Sequence, residues 1–207
     1  GAEAALLPEA RLAYLERYRR VFSADLLAGK RIGVFQHSSV ARDDLADLLK
    51  SLGATVVTLG RSARFVPIDT EALSAADAAM AKAGVAAERL DALVSTDGDA
   101  DRPLVADETG AFIRGDTLGI LTAQYLGADA VVTPVSSNSA IEGLGSFAEV
   151  RRTKVGSPFV IAGIEAARAA GRRTVVGFEA NGGFLLGSVA RLDGRTLEPL
   201  PTRDAFL

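Results

Sequence analysis

Asp91-Ala92-Leu93-Val94-Ser95 leads without a break into Thr96-Asp97-Gly98-Asp99-Ala100-Asp101-Arg102, an apolar strand that delivers three carboxylates to its end. Three carboxylates in so short a run repel one another, and the crowding is costly unless a cation relieves it. Asp97, Asp99 and Asp101 alternate with Gly98 and the small Ala100, so the backbone can curl until the carboxylates converge. Oxygen-only ligation of that kind suits Mg²⁺ or Ca²⁺ rather than zinc or copper. Arg102 adds a planar fork shaped for a pair of phosphate oxygens. A cation beside an arginine is what phosphoryl transfer requires, because charge must be neutralised around the moving group. A bare run of alternating aspartates is also read as a solvated turn or a calcium loop. An EF-hand wants Gly at the sixth loop position and Glu at the twelfth. Here Arg102 takes the sixth and Glu108 the twelfth, and no helix precedes the loop, so the EF-hand reading fails.

Outward from this stretch, strands alternate with helices. Helical patterns run over about 8–22, with Leu12, Leu15 and Phe22 among charges, over 41–52 up to Gly53, and over 74–83 up to Gly84. Strands are expected at 31–36 and 55–59, and residues 103–106 and 111–114 flank an Asp107-Glu108-Thr109-Gly110 turn as a hairpin. A second series starts near Asp116: helices at 117–126, 139–144 and 158–170, strands at 130–133, 148–152 and 174–178. The alternation implies an α/β fold of two αβα-layered domains, each a small mixed sheet flanked by helices. The boundary is placed near 115, giving domains at 1–115, with an N-terminal linker helix, and 116–207. The halves share a rhythm, but no repeat is visible in the residues.

Composition excludes several classes. The 207 residues are 48% hydrophobic and 24% charged, as expected of a soluble globular protein, and a net charge of −3 offers nothing to nucleic acid. Arg19-Arg20 lies in a helical pattern and is expected to face solvent. Without cysteine there is no disulfide, thiol catalysis or Cys-based zinc site, which fits a cytoplasmic location. No run reaches the roughly 20 apolar residues of a membrane helix, and the N-terminus carries no export signal. Gly1 reads as a remnant of cloning, and the chain as a piece of something longer.

A second loop, Phe178-Glu179-Ala180-Asn181-Gly182-Gly183, also follows a strand. Glu179 can accept paired hydrogen bonds from vicinal hydroxyls, Asn181 can donate and accept, and the glycines let backbone approach a ligand. Alone, Asn-Gly-Gly is a tight turn. Lys154 in Thr153-Lys154-Val155-Gly156 is a compact cation able to hold a phosphate or polarise a hydroxyl, or simply a surface lysine at a strand end. His37, the single histidine, has no evident carboxylate partner and reads as structural or surface-placed.

Asp97-Gly98-Asp99-Ala100-Asp101-Arg102 resembles the D-G-D-x-D-R loop of the α-D-phosphohexomutase superfamily, which includes phosphomannomutases, phosphoglucomutases and phosphoglucosamine mutases. The resemblance implies Mg²⁺ on Asp97, Asp99 and Asp101, with Arg102 near an active-site phosphoserine. Glu179 matches the Glu of the family's G-E-x-S-G sugar loop, while Asn181 stands where Ser is usual and Gly183 where many members have His. Lys154 matches the family's K-x-G segment, and Ser157 stands where members often have His. Ser39 lacks the T-A-S-H-N-P surroundings of the family phosphoserine. The resemblance covers the second and third of four domains, so the first and fourth, with the phosphoserine and the phosphate-binding loop, are expected on a parent chain. It implies an isomerase acting on phosphosugars, most simply a phosphomannomutase, with Arg102 and Lys154 catalytic and Glu179, Asn181 and Lys154 on the substrate. Phosphoglucomutase, phosphoglucosamine mutase and a non-catalytic metal- or sugar-binding module are the alternatives. An aspartyl phosphatase fits less well, because Asp99 is followed by Ala-Asp-Arg rather than Thr or Val.

Overall fold

A computed structural model describes residues 7–207. Residues 1–6, on which the readings of Gly1 and of the export signal fall, lie outside that range. Helix α1 (Pro8–Arg19) has proline in its first turn, where the missing N–H is no loss. Strand β1 (Arg31–Phe35), helix α2 (Arg42–Ser51), strand β2 (Thr55–Leu59), helix α3 (Ala75–Glu88) and strands β3 (Ala92–Thr96), β4 (Pro103–Ala106) and β5 (Phe112–Ile113) follow. Helix α4 (Gly115–Tyr125), strand β6 (Ala130–Pro134), helix α5 (Ala140–Gly143), strand β7 (Glu149–Thr153), helix α6 (Ser157–Ala169) and strands β8 (Val175–Phe178), β9 (Phe184–Leu186), β10 (Ala190–Leu192) and β11 (Arg195–Leu197) complete the order.

Two larger sheets share one connectivity. The first is ordered β2-β1-β3-β4-β5 and the second β7-β6-β8-β9, and in each the first three strands are parallel and the fourth antiparallel. Parallel strands buried on both faces need apolar residues at successive positions. In the first sheet Leu93 points to a cluster with Ala81 and Val85 of α3, and Val94 to one with Leu45 and Ala46 of α2. In the second, Val132 and Val175 meet Val160 and Ile164 of α6, while Val131 and Val176 meet Ile120 and Ala123 of α4 and Ile141 of α5. Each unit is therefore a mixed sheet between helical layers. Val34, Val131 and Val132 are fully buried, and each contributes roughly 1.5–3 kcal/mol of apolar transfer.

Two departures from expectation have local causes. Helix α3 does not stop at Gly84 but runs through it to Glu88 and ends at Arg89, which adopts a left-handed φ of 52°. Ser74 and Asp77 form a reciprocal capping box at its start. A Cβ at Gly84 would sit 3.2 Å from Leu59 Cδ1, so this glycine serves helix–strand contact rather than termination. Strands β9, β10 and β11 were not anticipated; they are only three residues each, too short for a period to show.

Helix α1 joins the units. Leu15 and Tyr18 pack on Leu48 and Leu52 of α2 and on Phe206 and Leu207, while Val21 enters the core of the second sheet. Arg20 is exposed, but Arg19 is half-buried and donates to Ser51 Oγ at 3.1 Å. Among the described residues, no helix is long and apolar enough to cross a membrane.

Candidate active site: two loops at equivalent strand ends

The acidic loop joins β3 to β4, and it is folded by its own first residue. Asp97, 5% exposed, accepts on Oδ1 from the amides of Asp101 (3.1 Å) and Arg102 (3.2 Å). The amide of Asp97 in turn donates to the Arg102 carbonyl at 3.1 Å. The curl is made by Ala100, which takes a left-handed φ of 64°, an uncommon conformation for a residue with a Cβ; Gly98 takes no positive φ. The result brings one carboxylate oxygen from each of Asp97, Asp99 and Asp101 within 4.8 Å of one another. Burial, with the Asp99 and Asp101 charges beside it, pushes the Asp97 carboxyl above its ordinary value, against the pull of the Arg102 amide.

Behind the loop, His37 is fully buried with a φ of 26°, and its Nε2 lies 2.8 Å from the Thr96 carbonyl. A carbonyl only accepts, so Nε2 carries the proton. Ser39 Oγ lies 2.7 Å from Thr96 Oγ1. Both side chains brace the strand end, which agrees with a structural histidine.

A divalent cation fits this arrangement. Asp101 Oδ1 is buried with no hydrogen-bond partner, and the three ligands are hard oxygens. Arg102 Nε is likewise buried and unpartnered, 3.5 Å from Asp97 Oδ2 and 3.6 Å from Asp101 Oδ1, so the guanidinium is held against the triad.

The second loop joins β8 to β9, the same place in the second sheet that the acidic loop holds in the first. The Glu179 amide donates to the Gly183 carbonyl at 3.1 Å, and Asn181 Oδ1 accepts from the Gly183 amide at 2.9 Å. The Asn181 acceptor is thus used within the loop, leaving its Nδ2 donors to face outward. Glu179 is 6% exposed, and its Oε2 accepts from Ser157 Oγ at 3.1 Å and from Arg203 at 3.1 Å. Ser157 thereby ties the Lys154 segment to this loop. Lys154 is exposed, with Nζ 5.7 Å from the centre of the Phe159 ring.

The two loops are joined through their neighbours. A Cβ on Gly115 would fall 2.3 Å from the Gly182 amide nitrogen, so backbone packs directly on backbone there. Thr70 Oγ1 donates to the Asn181 carbonyl at 3.1 Å, linking the first unit to the second loop. Arg203, which sequence reasoning missed, pairs with Asp101 of one loop and Glu179 of the other. Its only signal in the residues is an arginine beside an aspartate near the chain's end.

Both units match known proteins. The family model described as phosphoglucomutase/phosphomannomutase, alpha/beta/alpha domain II matches residues 13–110, and that for domain III matches 114–204. A phosphomannomutase of Salmonella muenchen is 53% identical over 194 residues, 94% of this chain and 40% of that protein. A phosphomannomutase of Sinorhizobium fredii (strain NBRC 101917 / NGR234) is 51% identical, covering 94% of this chain and 41% of that protein. The crystal structure of a phosphoglucomutase/phosphomannomutase family protein from Burkholderia thailandensis superposes with a TM-score of 0.67 at 20% identity, over 89% of this chain and 41% of that one. The chain therefore spans about two fifths of the length of the curated relatives it matches. Two consecutive domain models, matched in order over nearly all of it, place this chain in the phosphoglucomutase/phosphomannomutase family.

Proposed function

We propose that this chain is the metal-holding and hydroxyl-reading centre of a phosphomannomutase that interconverts hexose 1-phosphate and hexose 6-phosphate. The supporting observation is the bridging of the acidic loop and the Glu179 loop by Arg203, in a chain about half identical to two phosphomannomutases. The boundary between its two domains is taken at about 115, where β5 gives way to α4. Asp97, Asp99 and Asp101 are the residues that would hold Mg²⁺, which supplies charge neutralisation to a phosphoryl group in transfer. Arg102, fixed beside them, turns its remaining N–H groups to phosphate oxygens. Glu179 and Asn181 bind sugar hydroxyls, and Lys154 supplies a mobile positive charge for the phosphate that is not being transferred.

In the whole protein, a phosphoserine on a further domain would give its phosphoryl group to the free sugar hydroxyl. The resulting bisphosphate would turn over and return the other phosphoryl group to the serine, so phosphate is conserved. The reaction fits a cytoplasmic enzyme. The test is an assay of the full-length parent with mannose 1-phosphate and glucose 1-phosphate, with and without Mg²⁺. Turnover of the mannose substrate is expected, and Asp99→Ala is expected to lower it at least about a hundredfold, the scale of a lost electrostatic group. Wild-type rates in Asp99→Ala, or no turnover of either sugar by the parent, would reject the proposal.

A further inference from the structure

Among the described residues, Arg203 is the one cation that pairs with both loops. One arm of its guanidinium pairs with Asp101 Oδ2, and Nη1 lies 3.1 Å from Glu179 Oε2. Its side chain is 22% exposed, so water screens the pairs only in part. Its stem lies over Gly183, where a Cβ would come within 2.5 Å of Arg203 Cδ. The next residue fixes its direction. Asp204, 2% exposed, accepts from Tyr14 at 2.8 Å, from Arg17 at 2.7 Å and from Tyr18. The Asp204 amide donates to the Phe184 carbonyl at 2.8 Å, which pins this segment to β9 at the end of the hydroxyl-reading loop.

We infer that Arg203 is a positioning residue that serves as an internal counter-cation: by pairing with Asp101 Oδ2 it neutralises part of that carboxylate's charge and so competes electrostatically with a divalent cation at the free Oδ1. One fork then holds the acidic loop in register with Glu179 while the triad is empty of metal, and entry of the ion moves the guanidinium toward Glu179. The inference rests on the proposed reading of Asp97, Asp99 and Asp101 as cation ligands. Its sign is what separates it from a merely structural role. A residue that only supports the loop weakens metal binding when it is removed; a competitor strengthens it.

The experiment is calorimetric titration of this chain with Mn²⁺, for the wild type, Arg203→Gln and Gly183→Ala. Arg203→Gln is expected to lower the Kd about two- to fivefold, the range set by losing one partly screened ion pair. Gly183→Ala keeps the charge but forces the Arg203 stem out of its present position, which strains the pair with Asp101, and is expected to act in the same direction with smaller size. An unchanged or higher Kd in Arg203→Gln, with Mn²⁺ still binding the wild type, overturns the inference and leaves the metal reading standing. If Arg203→Gln loses its fold by circular dichroism, the direction of the Gly183→Ala shift decides. Absence of Mn²⁺ binding in all three chains removes the metal reading and the inference with it.

Discussion

Asp204 accepts from Tyr14, Tyr18 and Arg17 while almost wholly removed from water. Burial, reinforced by the Asp204 charge, raises the Tyr14 and Tyr18 phenols, which therefore stay protonated and donate throughout the neutral range. Breaking a buried pair strands its partner, so Asp204→Ala is expected to cost about 3–5 kcal/mol, read as a lower urea midpoint. Asp204 lies more than 180 positions from these three side chains, and for that reason it was not legible in the chain. The acidic triad was legible because its members are two residues apart and their chemistry is self-evident when crowded. Glu179 and Asn181 were legible only through the loop motif, and the internal use of Asn181 Oδ1 was not. Lys154 has its position by motif alone, since its exposed side chain meets only the Phe159 ring.

Among elements, α4 shows how a helix start can carry a joint. Its first residue, Gly115, has no room for a Cβ against the Gly182 amide, and the neighbour is backbone, which cannot rotate aside. Gly115→Ala is expected to cost about 1–3 kcal/mol in thermal stability and to disturb the Glu179 loop, visible as faster amide exchange over residues 179–183. The next residue, Asp116, accepts from Arg114 at 3.1 and 3.2 Å and from the Asn138 amide at 2.9 Å. Burial alone would raise this carboxyl, but those donors outweigh it and hold it below its ordinary value. A depressed folded value means stability present above the unfolded pKa and lost as pH falls through the folded one. Asp116→Asn is therefore expected to flatten the fall of melting temperature as the pH drops below about 4, the ordinary value of a free aspartate. Helix α2 announced itself by apolar spacing, with Leu45, Leu48, Leu49 and Leu52 on one face. Gly84 misled because a glycine that lets a helix approach a strand looks the same in a sequence as one that ends the helix.

Over the whole molecule, two sheets of matching connectivity carry their loops at matching places, between the third and fourth strands of each. This repetition was invisible in the residues, because hydrophobic patterning preserves topology without preserving identity. It has a thermodynamic signature when a cation joins the three carboxylates of one unit. Mg²⁺ at a hundredfold over its Kd would add about 2.7 kcal/mol of stability, so the melting temperature of the wild type should rise with Mg²⁺. Asp99→Asn should abolish that rise without lowering the metal-free value.

The backbone contact of Gly115 with Gly182 sits beside the gap that Arg203 spans. Contact without side chains has almost no slack, so the backbone of the Glu179 loop and the start of α4 are fixed against each other. The guanidinium of Arg203 is a caliper with Asp101 on one jaw and Glu179 on the other, so the distance between those two carboxylates is gauged by one side chain.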